Sequence, residues 1–185
     1  MGWFSKNKDI SLSSFIDLHL IEIFHSVRKL IMEVWSNYRA DDDLELEKND
    51  EDLNYAVVAL FEPIFHTSFG MFNYALGKLI FHQKIMKLGR EEGWCDAKDI
   101  TAFIKKVDVW ENPMAKASTE EDADPAAIIA QALAEKKGST DGFGALVYVS
   151  IGKAFFDIVK HVQKTTKKYT FGYQHPEDLD YLRGK

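Results

Sequence analysis

Glu62 and His66 lie four residues apart in one of the most apolar tracts of this 185-residue chain. Side chains at i and i+4 stack on one helix face. A carboxylate and an imidazole would therefore share a surface otherwise clothed in Val, Leu and Phe. Asn73 falls on the same side at about 100° per residue, Tyr55 more loosely, with Ala59, Gly70 and Gly77 nearby. Such groups need partners when buried, because an unpaired polar or charged side chain costs roughly several kcal/mol. Either the pair satisfies itself or lies on the one solvent-facing edge, or it holds a metal ion or small molecule inside a helical bundle. On the second reading Glu62, His66 and Asn73 are the ligand-binding residues.

Other patterns carry less chemistry. Carboxylate-bridged di-iron bundles use inward-pointing Glu-x-x-His motifs. Glu22 and His25 have that spacing, but Glu62–His66 and Asp157–His161 are one residue too wide. The first and third of these pairs also lie off the apolar stripes of their helices. Cys95 precedes a helix expected to start near Asp96, where the dipole would lower a thiol pKa, but Glu91, Glu92 and Asp96 oppose that. A single cysteine rules out Cys-x-x-Cys metal motifs and an intrachain disulfide, and reads as cytoplasmic. Gly152-Lys153 is followed by Ala154, so it is no phosphate loop. No catalytic residue, cofactor or resident metal is assigned.

Charge is unevenly placed. The net charge is −6, and Asp41–Asp52 alone holds eight acids against Lys48. Asp41, Asp42, Asp43, Glu45 and Glu47 are the candidate contacts for a basic protein partner, since a dense acidic run steers such partners and speeds encounter. Lys153, Lys160, Lys164, Lys167 and Lys168 make one basic region, but no arginine-rich reading helix accompanies them and the chain is acidic, so no nucleic-acid partner is expected. A homo-oligomer is left open.

The elements that must position these residues are helical. Hydrophobic residues make up 46% and aromatics 13% of the chain, enough for a core and incompatible with disorder. Apolar residues recur at helical spacing and strand-like alternation is nearly absent. Helices are expected at about Ser13–Arg39, Leu53–Leu88, Asp96–Asp108, Pro125–Lys137 and Phe143–Lys168, with a short one at Pro176–Leu182. The second is apolar almost all round, hence central, with a kink or break near Ala59–Glu62 forced by Pro63. The longest charge-free stretch, Pro63–Gly77, is too short for a bilayer span of about 20 residues. Asp17, His19 and Glu22 interrupt the first apolar run, so no secretory leader is read.

The expectation is an all-α, single-domain bundle of five to six helices over residues 1–185, around a long, Pro-kinked apolar central helix. Residues 41–52 form an acidic connector, 112–124 a mobile loop and 169–185 an irregular tail. Its expected role is non-enzymatic binding or regulation through acidic surface. The alternative is a metal- or small-molecule-binding bundle, with or without catalytic activity, centred on Glu62 and His66.

Overall fold

The computed structural model describes residues 7–39, 51–117, 125–136, 143–172 and 175–183. It is an all-α single-domain helical fold with one small pleated element. A strand β1 (Lys8–Ile10) leads into α1 (Leu12–Phe15), a π-helical turn (Ile16–Leu20) and α2 (Ile21–Arg39). Then come α3 (Glu51–Ala59), α4 (Glu62–Ser68), α5 (Met71–Glu91), α6 (Ile100–Ala117), α7 (Pro125–Lys136) and α8 (Phe143–Thr166). The chain closes with β2 (Tyr169–Phe171) and α9 (Pro176–Leu182).

The expected central helix is three helices. Pro63 has no N–H, so the carbonyl of Ala59 cannot receive its i+4 bond. Helix α3 ends at Ala59, and Pro63 sits in the first turn of α4, where a missing N–H leaves nothing unmet. A second break follows at Phe69, which is extended, and Gly70, whose carbonyl accepts from the Asn73 and Tyr74 N–H groups to start α5. The breaks let one apolar sequence turn back on itself. Phe61 of the first break stacks on Phe81 of α5 at 4.9 Å, and Phe65 of α4 packs on the same ring at 5.4 Å. Phe15, Phe24, Phe61, Phe65, Phe81 and Phe103 are all fully buried.

Three further boundaries differ from the sequence expectation. Helix α6 begins at Ile100, with the Asp99 carboxylate accepting from the Ala102 N–H at 2.8 Å, not near Asp96. It also continues through Pro113 to Ala117, so residues 112–117 of the expected loop are helical; 118–124 lie outside the described residues. The expected irregular tail is ordered over most of its length. β2 pairs in parallel with β1, Lys8 opposite Tyr169 and Ile10 opposite Phe171. Helix α9 then docks on α1. The Asp178 carboxylate, 2% exposed, accepts from the backbone N–H groups of Leu12 at 2.9 Å and Ser13 at 2.8 Å.

Helix α5 ends by folding sharply back. Gly93 has φ 81°, a conformation that favours glycine. The N–H groups of Trp94 and Cys95 then donate to the Gly89 carbonyl. A Cβ on Gly89 would lie 2.7 Å from both the Trp94 indole and the Cys95 Cβ. Gly89→Ala is expected to cost about 1–3 kcal/mol through this overlap. Urea denaturation with tryptophan fluorescence measures it, and an unchanged midpoint would show that the turn can step aside.

Candidate functional site

Among the described residues, two places set titratable side chains against apolar surroundings. The first is a polar cluster inside the apolar wall where α4, α5 and α6 meet. Its centre is the Lys78 ammonium on α5, 2.6 Å from Glu62 Oε2 on α4 and 2.7 Å from Glu111 Oε2 on α6. The Tyr74 hydroxyl donates to Glu62 Oε1. His66 Nε2 lies 3.5 Å from that same oxygen, and its ring stacks on Tyr74 at 4.1 Å. His82 Nε2 is 4.0 Å from Glu111 Oε1.

Glu62 and His66 thus face each other as their spacing requires, but the arrangement is lopsided. His66 is 62% exposed at the rim, while Glu62 turns inward to Lys78 and Tyr74. Asn73 lies one helix on, beyond the break at Phe69–Gly70, and among the described residues no hydrogen bond or ion pair joins its side chain to the cluster. Tyr55 is elsewhere, its hydroxyl 3.4 Å from Cys95 Sγ. Tyr55 and Cys95 are both buried. Desolvation and the Cys95 contact push the Tyr55 phenol up. Cys95 stands five residues before α6, off the helix N-terminus where its sequence position suggested it.

Burial sets the protonation states of the cluster. Lys78 is raised: its two carboxylates outweigh the desolvation that opposes them. His82, 2% exposed, is pushed down to about 3 by desolvation and by the Lys78 charge, so it stays neutral. Tyr74 is pushed up to about 12 by desolvation and its bond to Glu62. Glu111 is pushed up to about 7, chiefly by desolvation, with Glu62 and Asp108 adding to it and Lys78 opposing.

The second place is a groove of about 460 Å³ between α2 and α8. Leu18, Ile23, Val27, Leu30, Ala154 and Ile158 give it an apolar lining, and His19, Glu22, Ser26, Asp157 and His161 give it polar groups. Glu22 and Asp157 stand on opposite walls. His19 belongs to the π turn, which shifts the helical phase relative to α2 by roughly one residue. Its ring packs on Phe15 at 4.8 Å and its Nε2 is 3.2 Å from the Tyr169 hydroxyl. Desolvation, then the nearby His161 and Lys168 charges, lower its pKa below the ordinary 6.5, so the ring is neutral at pH 7. Leu18 and Leu30 are 59% and 39% exposed at the groove's ends.

Sequence spacing singled out Glu62 and His66 but missed Lys78, His82 and Glu111 as their company. It also paired Glu22 with His25 and Asp157 with His161 without bringing the two helices together. The available signal was that both carboxylates flank apolar stripes, so two packed stripes would bring the flanks side by side. His25 turns away, 3.9 Å from Glu92. Asp41, Asp42, Asp43, Glu45 and Glu47 lie outside the described residues. Among the described residues, no group of three or more His, Cys, Asp or Glu is arranged to hold a metal ion, and no helix is long and apolar enough to cross a membrane. No protein-family model, curated protein or solved structure matches this chain.

Proposed function

We propose that this chain works by binding, not by catalysis, and that the α2–α8 groove receives an amphipathic helix of a protein partner. The observation that carries this is the groove itself: an apolar floor between two walls, each bearing one carboxylate. From Leu18 to Leu30 it follows α2 for about 18 Å, three turns, a length suited to anchors at i, i+3, i+4 and i+7 of a docked helix. With His19 neutral, Glu22 and Asp157 favour lysine or arginine beside the partner's apolar ridge. Lys153, Lys160 and Lys164 are exposed on the same stripe of α8 as Asp157, at spacings of three and four, so acidic residues beside the basic one on the partner would be met along that wall.

The acidic run at 41–47 belongs to the same reading, as a source of long-range attraction for a basic partner. The polar cluster at Lys78 supports it indirectly. Its carboxylate Glu62 is already engaged by an ammonium and a phenol, which leaves little for an added cation or substrate.

A photo-crosslinking amino acid placed at Leu18, with one at the exposed Lys105 of α6 as control, tests the proposal in extract from the source cells. One protein should crosslink from position 18 and not from 105, through a peptide with an apolar stripe and charged flanks. The adduct should fall at least about tenfold in Glu22→Lys/Asp157→Lys, the loss expected when roughly 1.4 kcal/mol or more of charge complementarity is reversed. Equal labelling from both positions, or an adduct indifferent to the reversal, would refute the groove as the docking site.

A further inference from the structure

We propose that the Glu62–Lys78–Glu111 cluster is a proton-operated latch, in which one proton on Glu111 draws α6 against α4 and α5 and its loss loosens them. The geometry leaves one charge unbalanced. Two carboxylates share a single ammonium, at 2.6 and 2.7 Å, in a site where Glu111 is 8% exposed. Glu111 Oε1, on the side away from Lys78, and Nδ1 of His82 are buried without a hydrogen-bond partner. An ionised Glu111 therefore leaves one oxygen unsolvated and the cluster at net −1. One proton on that carboxyl makes the cluster neutral, with Lys78 still paired to Glu62.

The groups facing Glu111 come from α5, α4, α3 and α7 and from α6 itself. From α5 come Lys78, held charged by two carboxylates, His82, held neutral, and Tyr74, held protonated. From α4 comes Glu62, with His66 beyond it at the rim. On α6 itself Asp108 adds negative charge and so favours the proton. From α3, Glu51 is tied to Lys106, more than a turn before Glu111 on α6. On α7, Glu135 is exposed and bonded to Gln131. The Glu111 carboxyl, pushed up to about 7, thus changes state between mildly acid and mildly alkaline conditions.

The sign follows from linkage. The closed state binds the proton more tightly than an opened state in which Glu111 meets water with an ordinary carboxylate pKa. Closure is therefore favoured toward acid and lost as pH rises through about 7. Between about pH 5 and about pH 8 the opening equilibrium should rise by roughly two powers of ten.

Infrared titration of the intact chain tests this directly, because a buried protonated carboxyl has a C=O band that neither imidazoles nor ionised carboxylates share. One such band should vanish with a midpoint near neutrality in the wild type and be missing in Glu111→Gln. Hydrogen exchange, corrected for the intrinsic pH dependence of amides, should show α6 opening about a hundredfold more often at the alkaline end, and Glu111→Gln should stay protected throughout. All buried carboxyl bands vanishing in the ordinary carboxylate range would overturn the proposal without any variant. So would a Glu111→Gln protein that folds yet keeps the wild-type pH dependence.

Discussion

Replacing Lys78 by Met is expected to cost about 3–5 kcal/mol at mildly alkaline pH, because it leaves two buried carboxylates facing each other without a counter-charge. For a chain of this length that corresponds to a fall in Tm on the order of 10 °C. Met keeps most of the apolar stem, so the loss reports the ammonium and not a cavity. The pH dependence separates the two causes. Without Lys78 nothing opposes the desolvation and the Glu62 charge that already raise Glu111, so its folded pKa lies still further above its unfolded one. Such a group adds stability toward acid and loses it as pH rises through the folded value. The gap between Lys78→Met and wild type should accordingly shrink as pH falls from above 7 toward the ordinary carboxylate range. A loss of the same size at every pH would mean that Lys78 acts through packing alone, and calorimetry across that range decides it.

The same reasoning predicts that removing all three charges is gentler than removing one. Buried ion pairs pay heavily for desolvation, and apolar replacements of similar volume are often neutral or stabilising by about 1–4 kcal/mol. A cluster with two carboxylates on one ammonium is poorer than a balanced pair. Such a cluster in an otherwise phenylalanine-rich wall fits a proton-dependent role for Glu111 better than a gain in stability.

What the sequence made legible was local. Pro63 announced a break because its missing N–H must orphan the Ala59 carbonyl, and the helix stops at that residue. Pro125 opens the expected fourth helix, where a missing N–H leaves no bond unmade, and α7 begins at that residue. What stayed hidden was the partner of each polar residue across the fold. Lys78 reads as one more cation on an apolar helix until the turn at Phe69–Gly70 lays α5 against α4. Glu111 falls at the edge of a segment that Pro113 made look like a loop. The strands β1 and β2 are three residues each, shorter than any window in which alternation can be recognised, and their pairing joins opposite ends of the chain.

Asp178→Ala is expected to cost about 2–4 kcal/mol, a large effect for a residue near the C-terminus. Its carboxylate is the N-terminal cap of α1 supplied from 165 residues away, accepting two buried backbone N–H groups. Charge-assisted bonds of this kind contribute about 1.5–3 kcal/mol each, and the loss of both leaves two donors with neither protein nor water to meet them. Negative charge also favours the positive end of the α1 dipole, which removal forfeits. Ser11 cannot take over, since its hydroxyl already accepts from the Ser14 N–H at 3.0 Å while donating to Glu177 at 2.8 Å. An asparagine at this position would restore one acceptor but point an NH2 at the second donor, so Asp178→Asn should recover less than half of the loss. The site of damage should be as specific as its size. The amides of Leu12 and Ser13 and the β1–β2 pair should exchange first, because α9, α1 and the strands close the two chain ends together. Slow exchange at Leu12 and Ser13 in Asp178→Ala would show that the cap is incidental and that Tyr181 and the apolar contacts of α9 hold the ends by themselves.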